Sequence, residues 1–245
     1  QQRDSAELRT IIEDCSIEFL ASFPDAATLQ DWQQLSQSDH IIISDREMFP
    51  RLLARLEQAN VSIIEAPLPY GLEQTSTVYE HLLGLSDELA STDLQPPRVQ
   101  AQTAVDAFRD RWSGTRMALT IRMFNNNQLN MVARDGLGQV KLFTELGFDV
   151  TVLIQGSPDP SMRPVWADLL AQHDLDIDFD VFAGPFAVGD CLRKGNYSLA
   201  CVADWVHQEV ASTGIPYIFA NQLRPWLEGI GYNINYLQRT LESAR

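Results

Sequence analysis

The sequence is poor in cysteine and has no long hydrophobic run. Its three cysteines, Cys15, Cys191 and Cys201, are widely spaced and form no CxxC pair. The sequence therefore predicts no disulfide framework, and a reducing cytoplasm is the expected location. No apolar run approaches the ~20 residues that cross a bilayer as a helix, so we expect no membrane partner.

Basic residues are also few. The 245 residues include 33 acidic and 18 basic side chains, which gives a net charge of −15. A nucleic-acid binder needs a basic face for the phosphate backbone, so no nucleic-acid partner is expected. The excess of acid indicates a solvated acidic surface, with the steering of a basic partner as the alternative.

The motifs of common nucleotide-binding, zinc-binding and hydrolytic enzymes are missing. The sequence contains no GxGxxG, no Walker A motif, no HExxH and no GxSxG. Gly136-Leu137-Gly138 lies inside a predicted helix, where close helix–sheet packing explains it better than dinucleotide binding. Cys201 and His207 lie on either side of a strand-to-helix turn and could bind a metal in one crevice. We prefer a buried cysteine and a surface histidine.

Four aspartates alternate with apolar residues before and within one predicted strand. They are Asp174, Asp176, Asp178 and Asp180. Because alternate residues of a strand share one face, this pattern indicates a solvated edge and not a catalytic carboxylate pair.

Hydrophobic patterning predicts an α/β fold. Short apolar runs alternate with amphipathic segments, which implies parallel sheets with right-handed crossovers. The predicted strands are Ser16–Ser22, His40–Ser44, Val61–Ala66, Arg116–Met123, Asp149–Ile154, Phe179–Phe182, Tyr197–Val202 and Pro216–Ala220. The predicted helices are Ala27–Ser36, Arg46–Asn60, Gly71–Leu89, Gln100–Trp112, Gln128–Leu146, Met162–His173, Trp205–Ser212 and Ile230–Ala244.

We predict two Rossmann-like parallel-sheet domains joined by a helical linker. Residues 1–70 form a partial first domain, 71–112 the linker, and 113–245 the second domain with its C-terminal helix. Ser91–Arg98 is the only Pro-rich polar stretch and predicts a break in order. The apolar run His40–Ser44 is typical of a central strand covered on both faces. We expect this strand to be buried, together with Val61–Ala66, Arg116–Met123, Asp149–Ile154 and Tyr197–Val202.

Three stretches together resemble the nitrogenase component 1 family. Ile64–Thr75 contains a P-x-G-x-x-x-T turn that leads into a helix, as in that family. Ser113–Arg116 precedes a strand, and the helix after that strand ends in Phe143-Thr144-Glu145-Leu146-Gly147-Phe148, similar to the family's L-x-E-L-G. Gly214–Tyr217 and Gly231–Asn233 resemble its last strand and last helix. The order and spacing of the stretches carry the resemblance.

The resemblance implies that the chain corresponds to two of the family's three domains. The domain with the cysteines for an iron–sulfur cluster would then lie outside it. The full-length complex would hold that cluster or an iron–molybdenum-type cofactor, whereas the fragment itself would hold none. The implied partners are a homologous partner subunit, in an α2β2-like hetero-oligomer, and an ATP-dependent iron–sulfur reductase.

Two departures from the family limit the expected function. Catalytic alpha-type subunits have a cluster-binding Cys where this sequence has Asp45, and the cluster-binding His has no counterpart in Gln222–Gly231. The chain therefore resembles a beta-type subunit, a scaffold-type subunit or a divergent nitrogenase-like reductase. A redox subunit and a non-enzymatic scaffold for cofactor assembly stay open, as does a Rossmann-like small-molecule-binding module without a redox role.

Candidate ligand-binding residues follow the predicted strands, because ligands bind at the carboxyl ends of parallel strands. They are Asp45, Arg46, Asn125, Asn126, Gln222 and Arg224. The two arginines suit an anionic ligand, since a guanidinium can grip a carboxylate with two hydrogen bonds. The alternative is that both arginines are surface residues that offset the acidic charge.

Overall fold

The computed structural model describes residues 18, 33–43, 46, 49–85, 95–122, 138–157, 159–172 and 174–243. The α/β class with parallel sheets is confirmed. One sheet pairs β1 (His40–Ile43) with β2 (Ser62–Glu65), which are connected through α1 (Pro50–Gln58). The predicted strand Ser16–Ser22 and most of the predicted helix Ala27–Ser36 lie outside the described residues.

The second sheet has five parallel strands in the order β5-β4-β3-β6-β7. These are β3 (Arg116–Arg122), β4 (Asp149–Gln155), β5 (Asp178–Phe182), β6 (Leu199–Val202) and β7 (Tyr217–Phe219). The chain runs outward from β3 through β4 to β5 and then returns to β6 on the other side of β3. The strand order thus reverses between β3 and β6, and sheets of this kind bind ligands at the carboxyl edge beside such a reversal.

Helices cover both faces of this sheet. They are α2 (Gly71–Leu83), α3 (Gln95–Trp112), α4 (Gly138–Glu145), α5 (Arg163–Gln172), α6 (Val188–Gly195), α7 (His207–Ala211) and α8 (Trp226–Ser243). Buried residues of α2, α3, α4, α5 and α8 form one hydrophobic cluster with β3 and β4, while α6 and α7 cover the other face. The helices between the two sheets therefore share a core with the five-stranded sheet. None of the described helices is long and apolar enough to span a membrane.

Alternation along β6 shows how one strand serves both faces. Leu199 and Cys201 lie in the larger cluster, whereas Ala200 and Val202 lie in the smaller one. All four residues are fully buried. A continuous apolar run is what a parallel strand covered on both faces requires.

The expected burial of the first sheet is wrong for the described residues. Residues of β1 and β2 are half-buried or exposed, and Ile42 in the apolar run keeps 36% of its surface exposed. The apolar composition of His40–Ser44 did not show whether the strand is covered on both faces or on one. In the structure, α1 and a few side chains cover one side only. The buried residues of this unit are Leu35, Leu53, Leu56 and Val61.

Helices α6 and α3 are among those that differ from the sequence prediction. Helix α6 was not predicted, although Val188 and Leu192 are one turn apart and fully buried. Helix α3 begins at Gln95, inside the predicted break, because Pro96 and Pro97 occupy its first turn, where no backbone N–H donor is needed.

The aspartate row does form a solvated edge. Strand β5 lies at the end of the sheet, and Asp178 and Asp180 are exposed. Arg163 covers the strand by donating to the Phe179 carbonyl at 3.3 Å and by stacking over its ring. Charged residues on an edge strand oppose pairing with another chain.

Candidate functional site

Three segments meet at the carboxyl edge of the five-stranded sheet. They are Pro67–Tyr70, the start of α4 at Gly138 and Gln139, and Ala220–Arg224 after β7. The Gln139 side-chain amide donates to the Ala220 carbonyl at 3.2 Å, and the Trp226 N–H donates to the Pro69 carbonyl at 2.8 Å. We call this meeting point the edge junction.

Gly138 belongs to this packing and not to a dinucleotide fingerprint. A Cβ at position 138 would lie 3.3 Å from side-chain atoms of both Leu68 and Tyr70. Gly138 is closely packed, but not against the sheet. The neighbour is the segment that enters α2, whereas the prediction placed it at the sheet.

Arg224 is held in place through its backbone. Asn233 of α8 is fully buried, and its side-chain amide bonds both the N–H and the carbonyl of Arg224 at 2.8 Å. Gly229 permits this approach, since a Cβ there would lie 2.4 Å from the Arg224 carbonyl oxygen. The half-buried guanidinium stacks over the Tyr232 ring, 3.7 Å from its centroid. A fixed guanidinium beside the edge junction can bind an anionic group.

The other sequence-predicted residues are distributed unevenly. Gln222 is exposed in the turn after β7, next to Arg224 in the edge junction. Arg46 is exposed beside the first sheet and forms an ion pair with Glu57 of α1. Asp45, Asn125 and Asn126 lie outside the described residues. The structure therefore brings Gln222 and Arg224 to one edge, whereas Arg46 is already paired.

Sequence reasoning missed Gln139. Its side chain is 6% exposed, and the bond to Ala220 fixes which branch of the amide is the donor. Its Oε1 has no hydrogen-bond partner among the described residues. A buried acceptor of this kind is costly unless a donor reaches it. A glutamine just after a turn is unremarkable in a sequence, so no local signal identified it.

Cys201 and His207 do not converge. Cys201 is fully buried in the larger cluster, and burial raises the pKa of its thiol. His207 Nδ1 lies 2.7 Å from the Asp204 carbonyl, and its ring contacts Phe219, which packs on the opposite cluster. The preferred interpretation of Cys201 as a buried small residue is confirmed. His207 is half-exposed at the start of α7.

The edge junction does not fit direct coordination of an iron cluster. Its described polar side chains are amides, the Tyr70 phenol and one guanidinium, whereas iron–sulfur clusters are bound by thiolates. No three His, Cys, Asp or Glu side chains in the described part of the chain are grouped to hold a metal ion. These residues can form hydrogen bonds to a ligand whose metal is held by other groups.

The P-x-G-x-x-x-T turn is structural. Gly71 has φ of +81°, a backbone conformation that favours glycine. Thr75 donates to the Pro69 carbonyl at 3.0 Å, and Gln74 donates to the Gly138 carbonyl at 2.9 Å. The motif therefore fixes the start of α2 against the edge junction.

Comparisons with known proteins agree with this architecture. A family model described as nitrogenase component 1 type oxidoreductase matches residues 1–184. A solved structure described as nitrogenase Cp1 at pH 6.5 superposes with a TM-score of 0.65 at 14% identity, over 98% of this chain and 57% of that one. At this identity the likeness shows the fold alone, and this chain spans little more than half the length of that structure.

Two other solved structures are much less similar. Translation initiation factor eIF-2B from Pyrococcus horikoshii OT3 gives a TM-score of 0.31 at 14% identity, over 87% of this chain and 78% of that one. A functionally unknown protein from Pseudomonas aeruginosa PAO1 gives 0.30 at 9% identity, over 88% and 94%. Neither score supports an inference. No curated protein matches the sequence.

Proposed function

Since this chain belongs to the family of nitrogenase component 1 type oxidoreductases, we propose that it is part of a nitrogenase-like oxidoreductase subunit. The subunit acts in electron transfer to a metallocluster or substrate that it holds together with a partner subunit. The family match over residues 1–184 is the observation that carries the proposal. The parallel sheet supports it, because its carboxyl edge is the usual ligand site of such folds.

In this function the described residues would bind the ligand through hydrogen bonds and charge. The Arg224 guanidinium would bind a carboxylate or another anionic group of the ligand. The free Oε1 of Gln139 would accept a hydrogen bond from an N–H or O–H of the ligand. Ligands to iron would come from a part of the complex other than these residues.

The proposed assembly follows the family. A homologous partner subunit in an α2β2-like hetero-oligomer would supply the second wall of the site, and an ATP-dependent iron–sulfur reductase would deliver electrons. The iron–sulfur cluster or iron–molybdenum-type cofactor would then belong to the full-length complex.

A scaffold for iron–molybdenum cofactor assembly is the second candidate. One observation favours it: the edge junction offers amides and a guanidinium, which release a ligand more readily than metal–thiolate bonds do. A scaffold must hand its cofactor over, whereas a catalytic subunit must retain it.

Anaerobic purification of the full-length protein with its partner would test both candidates. Iron in the purified complex, together with substrate reduction that needs the cognate reductase and ATP, would support the oxidoreductase. Transfer of a bound cofactor to a cofactor-free nitrogenase, without substrate reduction, would support the scaffold. A complex that contains no iron and shows neither activity would leave the Rossmann-like binding module and overturn both.

A further inference from the structure

Helix α2 is capped by a residue far away in the sequence. The residue that precedes the helix, Tyr70, provides no side-chain cap. Instead, the Leu72 N–H donates to the Glu145 carboxylate at 2.8 Å, across 73 residues of sequence. Glu145 is the last residue of α4, so this contact joins the two helices directly.

The environment of this carboxylate is unusual. Glu145 is half-buried, and no described cation forms a salt bridge with it. Arg109 of α3 donates to the backbone carbonyl of Glu145, and its guanidinium lies 4.0 Å from the Asp106 carboxylate. A Cβ at position 71 would lie 2.2 Å from Glu145 Oε2, so the carboxylate is pressed against the Gly71 backbone.

We propose that Glu145 is a protonation-sensitive latch between α2 and α4, closed when the carboxyl is neutral and loosened when it ionises. An ionised group without a cation partner is stabilised by water, and opening of the α2–α4 contact gives it water. The neutral carboxyl keeps an acceptor for the Leu72 N–H without this desolvation cost. The inference concerns the conformation of the chain and does not rest on the proposed function.

The charges around Glu145 set the direction of the effect. Desolvation by burial raises the pKa of Glu145 and outweighs the opposing effects of the Leu72 N–H, the Arg109 charge and the Glu73 N–H. The like charge of the Glu73 side chain on α2 adds to the rise. Strand β4, which also packs on α4, contributes Asp149 near its start, but this carboxylate pairs with Arg116. A group whose pKa is higher in the closed than in the open state favours closure at low pH. The latch therefore loosens as pH rises through the pKa of the closed state.

Opening would be transmitted to the edge junction. The Pro69 carbonyl accepts from both Thr75 of α2 and the Trp226 backbone at the start of α8. A shift of the first turn of α2 therefore moves the wall of the edge junction next to Ala220–Arg224.

Hydrogen exchange of the full-length protein measures the latch. Exchange of the amides of residues 72–75, corrected for the intrinsic pH dependence, should become faster as pH rises from 4.5 to 8. In Glu145→Gln, which keeps an acceptor but cannot ionise, the corrected rate should be flat and several-fold slower than wild type at neutral pH. Glu80→Gln, a matched change at an exposed position of α2, should behave like the wild type.

Two further variants separate electrostatics from packing. Glu73→Gln removes a like charge and should shift the transition to lower pH, whereas Arg109→Gln removes an attractive charge and should shift it to higher pH. Faster exchange in Glu145→Gln at neutral pH would show that the ionised carboxylate is the better cap and would overturn the proposal. A wild-type protein without a pH-dependent transition in these amides would overturn it as well.

Discussion

At the residue scale, the Asn233 side chain provides hydrogen-bond partners for backbone groups that no helix or strand pairs. The segment between β7 and α8 must turn sharply, and Trp226 has φ of +69°, a strained value for a bulky residue. Asn233 bonds the Arg224 N–H and carbonyl with one amide. Strain that the surroundings compensate is common at functional sites, which agrees with the place of this segment in the edge junction.

Replacement of Asn233 by Ala should destabilise the protein strongly. It would leave a backbone donor and acceptor unsatisfied beside a fully buried position, at a cost of about 2–4 kcal/mol. Urea denaturation measures the change in the free energy of unfolding. Asn221→Ala, an exposed residue whose amide bonds Asp204, is the control, with a change within about 0.5 kcal/mol. Equal effects of the two variants would contradict the assigned role of Asn233.

Replacement of Arg224, by contrast, should weaken binding and leave the stability of the protein nearly unchanged. Its guanidinium contacts Tyr232, which is 38% exposed, and a cation–π contact at such a site contributes about 0.5–1 kcal/mol. Arg224→Ala should therefore lower Tm by no more than about 4 °C, while it weakens binding of an anionic ligand or of the partner roughly tenfold. Arg239→Ala, at an exposed position of α8, should change neither. A large loss of stability with normal binding would assign Arg224 to structure.

The sequence predicted these residues to different degrees. Gln222 and Arg224 could be placed because they follow an apolar strand, and strand ends in a parallel sheet share one edge. The sequence did not predict the roles of Gln139, Asn233 and the Glu145 cap. Each of these depends on a contact between segments that are distant in sequence, or on a buried side chain in a stretch that looks polar.

At the element scale, the start of α2 requires glycine for two reasons. The φ of +81° at Gly71 disfavours any side chain by about 1–2 kcal/mol, and a Cβ would displace the Glu145 carboxylate from the Leu72 N–H. The sequence showed the turn through its proline and glycine, but not the acid that caps the helix.

Gly71→Ala should accordingly cost about 2–3 kcal/mol, the sum of backbone strain and a lost cap. Gly84→Ala at the other end of α2 is the matched control, because Gly84 has helical φ and a Cβ there would make only ordinary contacts. Differential scanning calorimetry of the two variants compares them. A Gly71→Ala variant as stable as the Gly84→Ala variant would show that the start of α2 can rearrange.

Strand positions were predicted better than strand environments. The predicted second-domain strands at Arg116, Asp149 and Tyr197 are present within a few residues, because each is a buried apolar run between turn residues. The first sheet shares that apolar pattern at His40–Ile43 but lacks the burial. The apolar pattern predicts that a segment is a strand. Whether that strand is buried depends on which other segments pack on it.

At the scale of the whole molecule, the two described cysteines are kept apart by the sheet itself. Cys201 lies in the cluster on one face, and Cys191 of α6 packs against the cluster on the other. Burial raises the pKa of both thiols, most strongly that of Cys201, and Asp180 adds to the rise at Cys191. Neither thiol is prepared to act as a thiolate ligand, and the two cannot approach one point without unfolding of the sheet.

The 245-residue chain, expressed alone, should therefore remain colourless after anaerobic reconstitution with iron and sulfide. An iron–sulfur cluster needs several thiolates around one point, and the described part of the chain provides none in that arrangement. Iron analysis and the visible absorption spectrum measure the outcome, with the proposed complex with a partner subunit treated in parallel as the comparison. Near-zero iron in this chain and stoichiometric iron in that complex would place the cluster ligands outside these residues. Stoichiometric iron and sulfide in this chain would instead require a site within it. The proposal that the ligands to iron lie outside the edge junction and the other described residues would then be wrong.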